Sequence, residues 1–220
     1  MSLMHTDNAG LVAQLNDLLQ LDYDAIAAYR VTLAELDAPA LRAELQRNLD
    51  DHERHITELG EHIDQLGGMK MSMPHITGAF KLAVQAAVAM GSDRSVLLAF
   101  KANELQSRDK YARAAEHDFP QHIAMTVRRA AADERRHYDW AVRALVGLGA
   151  ERGDADVTAA RTFSRLHGRV ADTIESAERG AMYAAERVRR SVGSEPWRYV
   201  GAGLALVGAG AVMKYVLSRR

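Results

Sequence analysis

The sequence predicts an all-helical protein whose first 150 residues form a four-helix bundle of two antiparallel hairpins. Three observations predict it. Ala, Leu, Glu, Arg and Gln are plentiful and only four of 220 residues are Pro, a composition that favours helix. Apolar residues recur at steps of three and four over long segments. A pattern of acids, tyrosine and histidine in the first half returns in the second at a constant offset of 82 residues.

Thr6 or Asp7 is placed to cap a first helix, in which Leu11, Leu15, Leu18, Leu19, Asp22, Ile26, Tyr29 and Leu33 share one face. Asp37-Ala38-Pro39 ends it and starts the second, with Pro39 near the first helical position. That helix runs to about Leu66 and stops at Gly67-Gly68. So short a connection makes the two helices an antiparallel pair. Met69 to Pro74 reads as a linker, and Ile76 to Met90, apolar and Ala-rich, as a crossover helix. Ser92 is placed to cap a third helix over 93–117, which Asp118-Phe119-Pro120 breaks. A fourth runs to about Leu148, with Gly149 as its stop.

Two further segments follow. In residues 151–195, Phe163, Leu166, Val170, Ile174, Ala177, Ala181, Ala184, Val188 and Val192 form an amphipathic stripe. Such a helix packs on the bundle, associates with itself as a stalk, or lies on lipid. In residues 196–220, the uncharged run Tyr199 to Met213 has Trp197, Tyr199 and Tyr215 at its edges and a stripe of Gly201, Ala205, Gly208, Ala209 and Val212. Its 15 residues are short of the ~20 that a bilayer asks for, and Lys214 can snorkel to extend them. The reading is a C-terminal transmembrane anchor; the alternative is a buried helix of a soluble oligomer. Met1 to Gly10 lacks the apolar stretch of a signal peptide, so the bundle is expected to face the cytoplasm at the inner membrane.

Charge agrees with this division. Residues 1–150 carry 16 basic and 21 acidic side chains; residues 151–220 carry 12 and 8. A basic segment beside an apolar terminus suits an anionic membrane surface better than nucleic acid. The absence of Cys excludes disulfides, thiolate nucleophiles, zinc ribbons and iron–sulfur clusters. Any metal site must therefore use His, Asp and Glu.

The repeat supplies such residues. Asp22 corresponds to Glu104, Tyr29 to Tyr111, Asp51 to Asp133, His52 to Glu134 and His55 to His137. Carboxylate and tyrosine are seven residues apart, two helical turns, on one face. Glu134 and His137, three apart, also share a face. Glu-x-x-His on one helix with a lone carboxylate from its neighbour is how four-helix bundles hold two metal ions. Carboxylates bridge and change denticity, and imidazole adds a neutral nitrogen suited to first-row metals. A lone buried carboxylate costs several kcal/mol, a cost that a metal ion or a histidine network removes. His62 reads as a partly exposed helix residue, and Arg128-Arg129 and Arg135-Arg136 as solvated faces.

With Asp22-Tyr23-Asp24-Ala25 through Tyr29, Glu104 through Tyr111 and Glu134-Arg135-Arg136-His137, residues 8–148 resemble the ferritin-like superfamily of ferritins, bacterioferritins and rubrerythrins. The resemblance implies Asp22 and Glu104 as terminal ligands, Glu134 as a bridging carboxylate, His55 and His137 as ligands of one ion each, and Tyr29 and Tyr111 as hydrogen-bond partners of the ligands. Two positions depart from the family: Asp22 stands where Glu is usual, and His52-Glu53-Arg54-His55 replaces one bridging Glu by His52. His52 is expected to ligate one ion only, and Asp51 and Asp133 are near enough in sequence to swing in. An iron pair is the expected cofactor; an asymmetric site, a single ion, or a preference for zinc, manganese or copper are the alternatives. The function implied is a membrane-tethered metal-binding protein, a homo-oligomer, that oxidises ferrous iron with oxygen or peroxide. The alternative is a membrane-anchored scaffold with a degenerate metal site.

Overall fold

A computed structural model describes residues 8–71, 92–150 and 184. The expected crossover helix, the amphipathic segment apart from Ala184, and the membrane anchor lie outside the described residues. Among the described residues no helix is long and apolar enough to cross a membrane.

The described residues form four helices, α1 Asn8–Glu35, α2 Pro39–Gln65, α3 Asp93–Ala114 and α4 Gln121–Gly147. Pro39 opens α2, where its missing N–H is no loss. Gly67 closes it with φ 67°, a left-handed conformation that costs glycine little. Gly68 must stay bare, because a Cβ there would meet Val12 Cγ2 at 2.6 Å. Ser92 caps α3, its side chain accepting from the Ser95 N–H. The next residue, Asp93, accepts from the Asp37 and Ala38 N–H groups at 2.8 and 3.0 Å. One carboxylate thus covers the start of α2 from the start of α3. α3 ends three residues before the expected 117, because Glu116 and His117 bond back to Arg113 and Ala114 in a tighter turn.

α1 packs on α2 and α3, and α4 on α3 and α2. Residues 22 and 29 of α1 meet 111 and 104 of α3, so those helices are antiparallel. Residues 51 and 55 of α2 meet 137 and 133 of α4, so that pair is antiparallel as well. The chain therefore leaves α2 at one end of the bundle and begins α3 at the other, the end-to-end crossover connectivity expected from sequence. At the exit from α2, the Asn16 side chain donates to Met69 O (2.8 Å) and accepts from Met71 N (2.7 Å).

The core has two apolar layers. One contains Leu11, Leu15, Leu18, Leu59, Ile63, Ile123 and Val127; the other contains Ile26, Leu45, Leu49, Val96, Leu97, Phe100, Ala141 and Leu145. On every helix the sequence between them is where the polar residues of the repeat fall. The fold thus puts a polar layer between two dry ones.

Candidate metal centre

Asp22, His52, His55, Glu104, Glu134 and His137 all lie in this layer, and none is more than 1% exposed. Each helix presents its residues for a local reason: Asp22 continues the apolar face of α1, Glu104 that of α3, and the three-residue spacings of α2 and α4 put His52 with His55 and Glu134 with His137 on inward faces. Two groups of ligand-type atoms converge to within 4.8 Å of one another, one from Asp22, His52, His55 and Glu134, the other from His52, Glu104, Glu134 and His137.

In the first group, His52 Nδ1 donates to Asp22 Oδ1 at 2.8 Å and His55 Nδ1 to the same oxygen at 3.3 Å. Tyr111 donates to Asp22 Oδ2 at 2.6 Å. In the second, Tyr29 donates to Glu104 Oε2 at 3.1 Å. The tyrosines are therefore crossed: each serves the carboxylate of the other hairpin, not the one seven residues before it. Tyr29 also packs edge-on against His52 and Phe100, with ring centroids 4.9 and 4.8 Å away.

Asp51 and Asp133 do not swing in. They face the outer nitrogens of the histidines, again crossed: His55 Nε2 donates to Asp133 Oδ2 at 3.2 Å and His137 Nε2 to Asp51 Oδ2 at 3.1 Å. Helical geometry explains the correction, since a residue four before His55 sits a turn away, opposite the histidine of the antiparallel neighbour. Arg54 donates to Asp51 at 2.5 Å and to Asp133 at 2.6 Å. Arg136 donates to Asp133 at 2.7 Å and also to Asp51. Arg136 is therefore no plain solvated residue. Two arginines and two aspartates make a pseudo-twofold clamp that closes the layer between α2 and α4 and holds each imidazole with Nδ1 inward. The sequence carried this signal, because Arg54 and Arg136 are also 82 apart. Glu53 points away and pairs with Arg30 at 3.5 Å. His62, half-buried, shares a 2.9 Å hydrogen bond with Thr126.

Electrostatics divides the layer. Burial pushes the Asp22 carboxyl up, but the hydrogen bonds of His52 and His55 outweigh it and hold the group below its ordinary value. Burial pushes His55 down, but Asp133 and Asp22 on its two nitrogens raise it to about 9. In the second group burial prevails. Glu104 is pushed up to about 8 despite the Tyr29 bond, and Glu134 is raised well above its ordinary value by burial and by the Glu104 and Asp22 charges. His137 is lowered to about 3, chiefly by burial. His52 is lowered by burial, against the pull of Asp22.

The residues of this second group also carry a cluster of unpartnered ligand-type atoms. His52 Nε2, Glu104 Oε1, both oxygens of Glu134 and His137 Nδ1 are buried without a hydrogen-bond partner. Folded proteins rarely leave such atoms alone, and each costs about 1–3 kcal/mol. Two carboxyl groups, which give up their protons when a cation arrives, and two imidazoles converging within 4.8 Å are the donor set of a divalent first-row metal ion. The residues present fit such an ion.

The model of a domain of unknown function (DUF2383) matches residues 11–117, which carry α1, α2, α3 and the sequence between them. No curated protein matches the chain. A crystal structure described as ferritin-like, diiron-carboxylate proteins from Bacillus anthracis strain Ames is similar, with a TM-score of 0.51 and 22% sequence identity, covering 64% of this chain and 99% of that one. Together with the crossed hairpins, this likeness gives the chain a ferritin-like fold.

Proposed function

We propose that the polar layer is a metal centre and that the protein binds divalent transition metal with ligands drawn from Asp22, His52, His55, Glu104, Glu134 and His137. The observation that carries this reading is the set of buried, unpartnered ligand atoms on His52, Glu104, Glu134 and His137. A bound redox-active metal would supply electron transfer between ferrous iron and oxygen or peroxide, the reaction class that the fold resemblance suggests. The chain's own residues do the rest. Asp51 and Asp133 fix which nitrogen of each histidine faces inward. Tyr29 and Tyr111 hold Glu104 and Asp22 in place by one oxygen each. The two apolar layers keep bulk water out, which strengthens every charge interaction inside. Tethering to a membrane through residues 196–220 is part of this reading on sequence alone.

A second reading has a specific observation in its favour: both oxygens of Asp22 are satisfied without a metal, by His52 Nδ1, His55 Nδ1 and the Tyr111 hydroxyl. On that reading the bundle is a scaffold with a decayed site. Metal analysis of untagged protein, with oxygen consumption on adding ferrous iron, separates the two. Stoichiometric metal that Glu134→Ala and His137→Ala abolish supports the first reading. Absence of metal, with unchanged folding in chelator, supports the second.

A further inference from the structure

We infer that the two halves of the centre are not equivalent, and that the half made by His52, Glu104, Glu134 and His137 takes one metal ion tightly while the half made by Asp22 and His55 stays closed by its own hydrogen bonds. The inference rests on the metal-binding reading above and deepens it.

The open half needs no rearrangement of partners. Each of its four residues already presents a buried atom that bonds to nothing: His52 Nε2, Glu104 Oε1, the Glu134 oxygens and His137 Nδ1. Two carboxylates balance the charge of a divalent ion, and two imidazoles complete a four-donor shell. The orienting contacts stand behind it, Tyr29 on Glu104 at 3.1 Å and Asp51 on His137 at 3.1 Å.

The closed half has no free donor of its own. Asp22 Oδ1 accepts from His52 and His55, and Asp22 Oδ2 accepts from Tyr111. His55 is engaged at both ring nitrogens, by Asp22 and by Asp133. An ion entering here must displace these bonds, and only Glu134 offers it an unpartnered atom.

His52 is the reason for the asymmetry. A carboxylate at this position has two oxygens on one carbon and can bridge two ions. An imidazole has two nitrogens that diverge, and a neutral ring has one lone pair between them. Asp22, which only accepts, keeps the proton on Nδ1 and so turns the lone pair to Nε2, the nitrogen without a partner. His52 thus serves the Glu104 half and locks the Asp22 half.

Titration of the metal-free full chain with Co(II) tests this, followed by calorimetry, by visible absorption and by metal analysis after gel filtration. One equivalent is expected to bind tightly, with a second weaker by about 100-fold or more, since bonded donors must first be released. Glu104→Gln should weaken the tight ion by about 100-fold, and Asp22→Asn by less than about tenfold, because Asn keeps an oxygen for the His52 N–H. His52→Glu should raise the tight stoichiometry to two. Two equivalents of like affinity in the unsubstituted chain, or equal losses in Asp22→Asn and Glu104→Gln, would overturn the inference and leave the metal-binding reading standing. No uptake of cobalt, zinc, manganese or iron would overturn both. If circular dichroism shows His52→Glu unfolded, the unsubstituted stoichiometry and the Asp22/Glu104 comparison still decide.

Discussion

Glu134 is wholly buried, and neither of its oxygens has a hydrogen-bond partner. Its nearest imidazole nitrogens, His52 Nδ1 and His55 Nδ1, lie 3.4 and 3.6 Å away, at or beyond the limit of a useful hydrogen bond. Glu134→Met replaces the carboxyl by an unbranched thioether of similar length that has no such requirement. Each unsatisfied buried polar atom costs about 1–3 kcal/mol. Allowing for imperfect packing of the new side chain, the metal-free variant should gain about 2 kcal/mol. For a chain of this size that raises Tm by about 4–8 °C. A ligand present at about 100 times its Kd adds about 2.7 kcal/mol to the protein that binds it. Metal should therefore raise the Tm of the unsubstituted protein by a comparable amount and leave the variant where it was. The assay is scanning calorimetry of both proteins at pH 7, in chelator and again with manganese(II) or zinc(II). A metal-free Glu134→Met protein that melts below the unsubstituted one by several degrees would refute the reasoning. It would mean that Glu134 stabilises the fold and is not a position kept for an ion.

Stability of the metal-free protein should fall as pH rises from 6.5 to 9. Glu104 moves from an ordinary 4.5 to about 8, and His55 from 6.5 to about 9. For both, the folded chain keeps a proton that the unfolded chain has lost, so the stabilisation present below the unfolded pKa disappears as pH passes the folded one. Asp22 and Asp133, both lowered, lose their contributions only at acid pH, below 3.8, and His137, lowered to about 3, contributes fully above 6.5. Metal should flatten the decline, and a Tm that rises through this window in chelator would contradict the assignment. Asp51→Asn, which weakens the outer partner of His137 and one carboxylate of the arginine clamp, should cost about 10–100-fold in affinity for the tight ion with helicity intact, and Asp133→Asn, behind His55, should cost less; isothermal calorimetry reads both. Tyr111→Phe strips the buried Asp22 Oδ2 of its 2.6 Å donor and should cost about 1–3 kcal/mol in urea denaturation, whereas an unchanged midpoint would show that bond to be unimportant.

Much of the architecture was legible because its signals are local. Pro39, Gly67 and Ser92 mark helix ends through backbone chemistry that does not depend on distant partners. The inward faces of Asp22 and Glu104 follow from apolar neighbours three and four residues away. The 82-residue offset then paired the two hairpins, and all six candidate ligands do meet in one buried layer.

The sequence by itself thus determined which residues face inward, how many helices carry them, and that acids and imidazoles share one level of the bundle. It left open which group bonds to which. Tyr29 reaches Glu104 and Tyr111 reaches Asp22, Asp51 and Asp133 stand behind the opposite hairpin's histidines, and Arg54 and Arg136 close the gap between α2 and α4. Only the tertiary structure decided these pairings. Periodicity sets the direction of a side chain about its own axis, but a hydrogen bond needs two helices in a particular antiparallel register. That register is set by the packing of the apolar layers above and below.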